Sequence, residues 1–345
     1  MERTRRSLQI GFLVCLTAII PIFSLEGSSP AQTIQPFAAS CRTDDEIPSK
    51  DRQELSQVAI EFVQKSLGPN PEAAYSAFTA DAKGSLDSEK FVATFKQGIQ
   101  RMGPFKDLHV VRTYLANVRG GSEEQWAICG NLSSPNGWVT VKVKLGPPQA
   151  HLIVEAQSLN NTWGFVLWLL PEQGIWHVQY VQVVPTAIVG KTAEDFQIMA
   201  ESEIQKNHNF NAFILYGAAL RLAGRGPFFQ LGILQEIQKG ADNMKPPRDL
   251  PLRPPYDWHF GQSSFKILSI GPIGVGQKIY LQVDQEIVPW ADDKDADKRN
   301  HDLILAIAKA YPEYKDAFAG IVVRAHERGG SRGFGTVFEN DADTK

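Results

Sequence analysis

Hydrophobic residues recur at helical spacing over the first part of the chain that follows its N-terminal segment. After Asp51 the apolar positions are Leu55, Val58, Ala59, Phe62 and Leu67. Spacings of three and four residues predict an amphipathic helix that buries one face. Proline and glycine end this pattern near Gly68, and two further helices are predicted, over 71–79 and from about Asp87 to Met102.

From 107 to 184 the hydrophobic pattern changes to a period of two, which is typical of β-strands. The strands are predicted over 107–118, 123–132, 138–146, 150–158, 162–170 and 175–184. In the third of them, Val139 and Val141 alternate with Thr140 and Lys142. This alternation predicts an antiparallel sheet with one solvated face.

Helical spacing returns after Pro185, and we interpret residues 186–241 as a helical connector. Residues 242–262 are rich in proline, which favours an extended crossing segment. The pattern over 263–340 predicts a small ββαββ unit, whose family we do not identify. Residues 32–50 are polar and are expected to form a flexible tail. The predicted fold class is therefore α+β.

The stretch 51–185 resembles the nuclear transport factor 2-like superfamily of cone-shaped domains. The resemblance rests on the order of three helices and a curved antiparallel sheet, and on the apolar positions of the opening segment. These read Ala59-x-x-Phe62-Val63, Ala73-Ala74-Tyr75-x-x-Phe78-Thr79, Leu86, Phe91, Phe95 and Gly103-Pro104-Phe105. The resemblance covers about two fifths of the chain. It implies helices packed on a cone-like sheet, whose concave face either covers the first helix or lines a pocket.

The N-terminus has the pattern of an export signal. Arg3, Arg5 and Arg6 precede an apolar run over 10–23, and the small-residue site Ser29-Pro30-Ala31 follows. This order predicts a secretory signal peptide over 1–31, with an uncleaved anchor as the alternative. We therefore expect an exported protein, periplasmic or extracellular, with no membrane span after the signal is removed.

Composition narrows the range of partners. The chain is 43% hydrophobic and 21% charged, as expected for a globular protein, and its formal net charge is −3. This charge disfavours nucleic acid as a partner. Two cysteines remain after signal removal, Cys41 and Cys129, and they form either one disulfide or two free thiols. No cofactor and no metal site is predicted, because Asp293-x-Asp295-x-Asp297 lacks the glycine and glutamate of a calcium loop.

Two groups of residues are candidates for binding. If the last two strands of the predicted sheet form a regular hairpin, Trp163, Phe165, Trp176 and Tyr180 share one face, and His177 lies on the other. Such a face suits an apolar ligand that carries one polar group. The alternative is that these side chains are part of an ordinary hydrophobic core. The second group surrounds Gly329-Gly330-Ser331 and consists of Arg324, Arg328 and Arg332. It would bind an anion, or else keep an exposed hairpin soluble.

No catalytic residues are assigned. The leading hypothesis is an exported, non-catalytic binding or interaction protein of the bacterial-type cell envelope, whose partner is a small apolar ligand or an envelope protein. One alternative is a cyclase, isomerase or dehydratase of the cone superfamily, which would need His177 or Tyr180 beside Asp107 or Glu155. Another is an envelope assembly factor that acts through the helical connector; an exposed apolar patch on the predicted helix over 210–223 would favour it. The oligomeric state is left open.

Overall fold

The computed structural model describes residues 38–119, 124–247, 249–250 and 255–340. The predicted signal peptide over 1–31 and the first part of the predicted tail lie outside these residues. The described chain is α+β, as predicted, and divides into two compact units. The N-terminal unit holds the described parts of 38–200 and 215–244, and the C-terminal unit those of 201–214 and 245–340. The predicted connector over 186–241 is therefore shared between the two units.

The N-terminal unit contains two antiparallel sheets. Its strands are β1 (Ala38–Thr43), β2 (Lys106–Arg119), β3 (Glu124–Gly130), β4 (Trp138–Lys144), β5 (Gln149–Ser158), β6 (Asn161–Glu172), β7 (Ile175–Ile188), β8 (Lys191–Thr192) and β9 (Phe229–Leu231). The main sheet is strongly curled and has the order β1-β2-β5-β6-β7-β8. The small sheet has the order β3-β4-β9. The expectation of a single sheet was wrong, because β3 and β4 leave the main sheet and pair with β9 instead.

Helices cover one face of the main sheet. They are α1 (Ser49–Leu67), α2 (Glu72–Tyr75), α3 (Ala80–Ser85) and α4 (Ser88–Met102). The predicted helix over 71–79 is short and is followed by a separate turn of helix, α3, capped by the Thr79 hydroxyl, which accepts from the Ala82 amide. Of the apolar positions predicted for α1, Leu55, Ala59 and Phe62 are buried, and Val58 and Leu67 are partly buried. They belong to a first core, which lies between the helices and the main sheet. Burial of each large side chain contributes about 1.5–3 kcal/mol.

The small sheet covers the opposite face of the main sheet. Successive side chains of a strand point to opposite faces. On β5, accordingly, Leu152 and Val154 belong to the first core, whereas Ile153 belongs to a second core shared with β3 and β4. On β4, Val139 and Val141 are buried in that second core as predicted, whereas Thr140, on the face predicted to be solvated, is also buried at 7% exposure. The central strands of the main sheet are thus buried on both faces.

The segment over 38–50 is ordered, and its prediction as a flexible tail was wrong. β1 pairs with β2 along its whole length, and a disulfide joins Cys41 of β1 to Cys129 of β3. The two Cα atoms are 5.2 Å apart, and the bond closes a sequence separation of 88 residues. Of the two alternatives for the cysteines, the structure therefore contains the bridged one. The disulfide ties an edge of the main sheet to an edge of the small sheet.

The C-terminal unit is built on one sheet. Its elements are β10 (Tyr256–Phe260), β11 (Ser263–Val275), β12 (Lys278–Ile287), α8 (Asp293–Ala310), α9 (Tyr314–Ala317), β13 (Gly320–Glu327) and β14 (Gly333–Glu339). The strand order is β10-β11-β12-β13-β14, and only the β12–β13 pair is parallel within the described sheet. The predicted crossing segment over 242–262 thus ends in a strand of this sheet, and the unit is βββαββ.

Helix α8 begins at Asp293, inside the Asp293-x-Asp295-x-Asp297 segment. The Asp292 carboxylate accepts a hydrogen bond from the Asp295 amide at 2.7 Å, which caps the helix. Buried Asn300 then ties α8 to the sheet, since it accepts from Gln285 at 2.8 Å and donates to Thr336 at 3.0 Å. The acidic residues that begin like a calcium loop therefore cap and start a helix.

The remaining helices are α5 (Ala193–Gln205), α6 (Asn209–Ala223) and α7 (Ile233–Asn243). α6 is buried on most of its circumference: Phe210, Leu215 and Tyr216 are at most 3% exposed, and Phe213 is partly buried. The exposed apolar patch on which the assembly-factor hypothesis depended is therefore not present on this helix. None of the described helices is both long enough and apolar enough to cross a membrane.

Candidate functional site

The predicted ligand face of the β6–β7 hairpin is a filled core. Trp163, Phe165 and Trp176 lie on the side that faces the helices, where they pack with the first core. Phe165 is fully buried, and its ring centroid lies 5.7 Å from that of Phe105. Side chains of α1 and α4 pack against this side of the sheet. Of the two interpretations left open for this face, the geometry favours ordinary core.

The placement of Tyr180 on that face was wrong, because β7 contains a bulge. Leu169 pairs with Val178 but Trp168 pairs with Tyr180, so Gln179 is an extra residue. The Gln179 side chain is held on both sides, by the Thr79 hydroxyl at 2.7 Å and the Asp81 carboxylate at 3.0 Å. A bulge inverts the alternation beyond it.

Tyr180 therefore points to the second core, where its ring centroid lies 4.7 Å from that of Phe228. His177 also lies away from the helix-covered core, opposite Leu170. Glu155 is opposite Gly164, near the other end of β6. The histidine and acid required by the enzyme hypothesis are therefore not brought together. Asp107 lies on β2, which is separated from β7 by two strands.

A histidine that the sequence did not single out is the most perturbed titratable group in the second core. His151 is fully buried and stacks on Trp168, with the ring centroids 5.5 Å apart. Neither ring nitrogen makes a hydrogen bond of normal geometry within the described residues. Burial lowers the pKa of His151 to about 3, and the nearby Lys142 backbone offsets only part of this shift. The His151 imidazole is therefore neutral and packs as an aromatic ring against Trp168 and Phe228.

The predicted anion site in the C-terminal unit does not assemble, because each arginine already has a carboxylate. Arg324 donates from Nε and Nη2 to the two oxygens of Asp284, at 2.6 and 2.9 Å. Arg328 pairs with Glu286 at 2.7 Å, and Arg332 pairs with Glu327. The carboxylates come from other parts of the sheet and hairpin, so neighbouring sequence did not reveal all of them.

Asp284 is the centre of a buried polar network. Besides Arg324, its carboxylate accepts from Ser269, from Gln282 at 3.1 Å and from His326 at 3.4 Å. Burial alone would raise the pKa of Asp284, but the donors and the Arg324 charge together hold it well below its usual range. Both oxygens of the Asp284 carboxylate therefore have hydrogen-bond donors within the protein. The network holds three strands together and does not present a charged site.

A groove that the sequence analysis missed lies between α1 and β2. Its volume is about 510 Å³, within the range of small-molecule sites. It is lined by Asp44, Ser49, Arg52, Gln53, Ser56, Val110, Val111, Arg112 and Thr113. All of these residues belong to the N-terminal unit.

Local structure explains why polar side chains meet in this groove. On α1 the lining residues Ser49, Arg52, Gln53 and Ser56 are spaced by three and four, so they share one side of the helix. On β2 the pairing with β5 shifts between Val110 and Arg112, which leaves one extra residue. Bulges of this kind redirect side chains and are frequent beside binding sites.

The groove carries two arginines and one carboxylate. Asp44 is fixed to β2, because its Oδ1 accepts the Thr113 amide at 2.8 Å and its Oδ2 lies 3.4 Å from Arg112. The Arg112 side chain is 61% exposed, and that of Arg52 is 38% exposed and paired with Asp45 at the surface. The lining therefore has a net charge of +1, with two guanidinium groups within reach of solvent.

Sequence reasoning missed this groove for two reasons. The segment that carries Asp44 was assigned to a tail, and the bulge in β2 depends on its pairing with β5, which is distant in sequence. The sequence does show that one side of α1 is polar. This does not indicate a binding site, because the solvent-exposed face of a helix is polar in most proteins. Only the pairing of β1 and β2 brings Asp44 and Arg112 together.

Comparisons with protein-family models, with curated proteins and with solved structures gave no match. Among the described residues, no group of three or more histidine, cysteine, aspartate or glutamate side chains has the geometry to hold a metal ion. The groove between α1 and β2 is thus our candidate binding site, and the shape and side chains of the groove are the evidence for it.

Proposed function

We propose that this chain is an exported, non-catalytic binding protein of a bacterial-type cell envelope, which binds a small anionic ligand in the α1–β2 groove. The observation that carries the binding part is the pair of arginines, Arg52 and Arg112, on a polar groove of about 510 Å³. The resemblance of 51–185 to cone-shaped domains is compatible with such a role, although a fold alone does not define a function.

Export is supported by two features of different kinds. The N-terminal sequence has the order of a secretory signal, with basic residues, an apolar run and small residues. The disulfide between Cys41 and Cys129 is the kind of bond that persists in oxidising compartments and is rare in the cytosol. Both features favour the periplasm or the extracellular space.

The chemistry of the groove favours a carboxylate or phosphate. Arginine presents a planar fork of donors that matches these groups. The ion pairs that Arg52 and Arg112 make with Asp45 and Asp44 are exposed, and pairs of this kind contribute only about 0–1 kcal/mol. A ligand oxyanion can therefore replace them at small cost. Gln53 and Ser56 would contact polar groups on the rest of the ligand.

An apolar ligand inside the cone is less well supported. It would have to displace Phe165 and the α1 side chains that pack against this side of the sheet, and replacing packed core side chains forfeits their burial energy. The enzyme alternative needs an acid and a histidine in reach of each other, and His177 and Glu155 lie near opposite ends of β6. The groove requires no such rearrangement.

The proposal is tested by titrating the chain that begins at Gln32 with two probes, succinate and inorganic phosphate. Binding is followed by isothermal calorimetry, with succinamide as the uncharged comparison. We expect Arg112→Gln to weaken binding of the anions at least about tenfold, since a hydrogen bond to a charged group contributes about 1.5–3 kcal/mol. Arg52→Gln should act in the same direction.

Arg328→Gln is the matched control, because the Arg328 side chain is also 61% exposed and also paired with a carboxylate. This variant should bind as the parent does. Equal binding of succinamide, or equal loss in the Arg328 and Arg112 variants, would contradict a specific anion site in the groove. Failure of both probes to bind the parent chain would contradict the proposed ligand class.

A further inference from the structure

The last strand of the C-terminal sheet has a free edge. β14 is the end strand in the order β10-β11-β12-β13-β14, and no other described strand pairs with its outer side. It runs over seven residues, and its register with β13 is continuous from Gly320↔Glu339 to His326↔Gly333. An edge of this kind presents unpaired amide and carbonyl groups in a regular row.

This edge lacks the features that usually keep a strand from pairing with another chain. The sequence of β14, GFGTVFE, contains no lysine, arginine or proline, and its pairing shows no bulge. Val337 is 41% exposed and Phe338 is 36% exposed. The strand thus combines an open backbone edge with exposed apolar side chains.

The other edges of the described sheets are protected. β10, at the opposite edge of the same sheet, is shorter and exposes Asp257 and His259. In the N-terminal unit, the disulfide ties the edge strand β1 to the edge strand β3. β8 and β9 have only two and three residues. Among the edge strands of the described sheets, β14 is therefore the one that is both long and unprotected.

The sequence of β14 is complementary to itself in antiparallel orientation. With the two-fold axis at Thr336, Val337 of one copy lies opposite Gly335 of the second copy, where there is no side chain to oppose it. Phe338 lies opposite Phe334, which favours an aromatic cross-strand pair. Glu339 lies opposite Gly333, so no acidic side chain faces it across the axis.

We infer that two copies of this chain associate through β14, which pairs antiparallel with β14 of the second copy to make one continuous sheet. A two-fold arrangement covers both free edges at once and leaves no further edge for growth, as in other isologous dimers. The proposal is independent of the groove, whose lining residues all belong to the N-terminal unit.

Size-exclusion chromatography with light scattering tests this directly. Because edge pairing buries little area, the mass is measured over a range of concentrations up to about 100 μM. The parent chain should reach the mass of a dimer. Val337→Lys should be monomeric, because the two lysines lie diagonally across the axis, about 7–8 Å apart, and their like charges repel. Val337→Glu should be monomeric for the same reason.

The decisive sample is an equal mixture of the two variants, which should form a dimer again because lysine then lies diagonally across the axis from glutamate, within reach of its long side chain. Val275→Lys is the matched control, since Val275 is 37% exposed at the end of β11 and lies away from this edge. It should dimerise as the parent does. A monomeric parent chain, or a dimer that persists in both Val337 variants, would overturn the proposal. A monomer in which strand peptides bind at β14 would assign the edge to another partner.

Discussion

Tyr180 lies directly opposite Trp168 in the β6–β7 ladder, and the bulge at Gln179 is what places it there. Counted from the Glu172↔Ile175 pair at the turn without a bulge, the residue opposite Trp168 would be Gln179. The bulge is held by Thr79 and Asp81, which lie about one hundred positions away in the chain, at separations of 100 and 98 residues. One extra residue therefore removes Tyr180 from the helix-covered core and places its ring, 40% exposed, against Phe228 at the border of the second core.

The buried histidine of that second core makes the fold sensitive to acid. The pKa of His151 is lowered from 6.5 to about 3 by burial, so the folded state binds its proton less readily than the unfolded state. Its stabilising contribution is complete above pH 6.5 and is lost as the pH falls towards 3. At about pH 4.5 this linkage costs the fold about 3 kcal/mol.

We therefore expect His151→Phe, which keeps an aromatic ring against Trp168, to lose less stability than the parent between neutral pH and about pH 4.5. Urea denaturation at both pH values measures the difference. Other acidic groups lower stability equally in the two chains, so only the difference between them counts. His301→Phe, at an exposed position of α8, serves as the control. Equal losses in parent and His151→Phe would show that the histidine is not buried as a neutral ring.

Much of this fold could be predicted from local pattern. The apolar spacing of α1 predicted both the helix and its buried face, because amphipathic periodicity records which side packs. The alternation of β4 predicted the strand and its buried valines but not the burial of Thr140. The unpredicted features depend on distant pairing. β1 is a short polar segment that is fixed by β2 and by Cys129, and the bulges of β2 and β7 follow from their neighbours.

The same distinction explains the candidate sites. Arginines near a glycine turn suggested an anion site, but Asp284 reaches Arg324 from a strand 40 residues earlier and neutralises it. The groove with Arg52 and Arg112 could not be found in the sequence, because it exists only where α1 meets a bulged strand. Sequence shows which charged residues are available; pairing across the sheet decides which of them can meet a ligand.

Loss of the disulfide should destabilise the N-terminal unit substantially. The bond closes a separation of 88 residues, for which removal costs about 2–5 kcal/mol. We expect Cys41→Ser together with Cys129→Ser to lower the free energy of unfolding by this amount. The parent measured in reducing buffer should lose as much, and the double variant should be insensitive to reductant. A parent chain whose stability does not change on reduction would contradict the bridge.

Two helical glycines should respond to alanine with opposite signs. At Gly217 of α6 an added Cβ would meet no atom within 4 Å, so Gly217→Ala should stabilise the protein by about 1 kcal/mol through helix propensity. At Gly240 of α7 the Cβ would lie 2.6 Å from the Tyr216 hydroxyl oxygen, so Gly240→Ala should destabilise it by about 1–3 kcal/mol. Thermal unfolding of both variants measures this. A stabilising Gly240→Ala would show that Tyr216 does not pack there.

Breaking the Asp284–Arg324 ion pair should lower the free energy of unfolding far more than breaking the Glu286–Arg328 ion pair, although Asp284 and Glu286 lie on the same strand. Asp284 and Arg324 are buried, with side chains 6% and 15% exposed. Asp284→Ala would leave the guanidinium without its carboxylate, which costs about 3–5 kcal/mol. Glu286→Gln is the comparison, because its partner Arg328 is largely exposed. Urea denaturation should show a large loss for the first variant and a small loss for the second; similar losses would contradict the burial of the pair.

The most direct test of the account is to identify what the groove holds in the native envelope. The exported chain is purified from its envelope fraction, and small molecules released on denaturation are identified by mass spectrometry. We predict one stoichiometric anionic molecule, retained by Arg328→Gln and lost from Arg112→Gln. Retention of the same molecule by Arg112→Gln, or recovery of an apolar ligand that depends on Trp163 and Trp176, would contradict the assignment of the groove as the binding site.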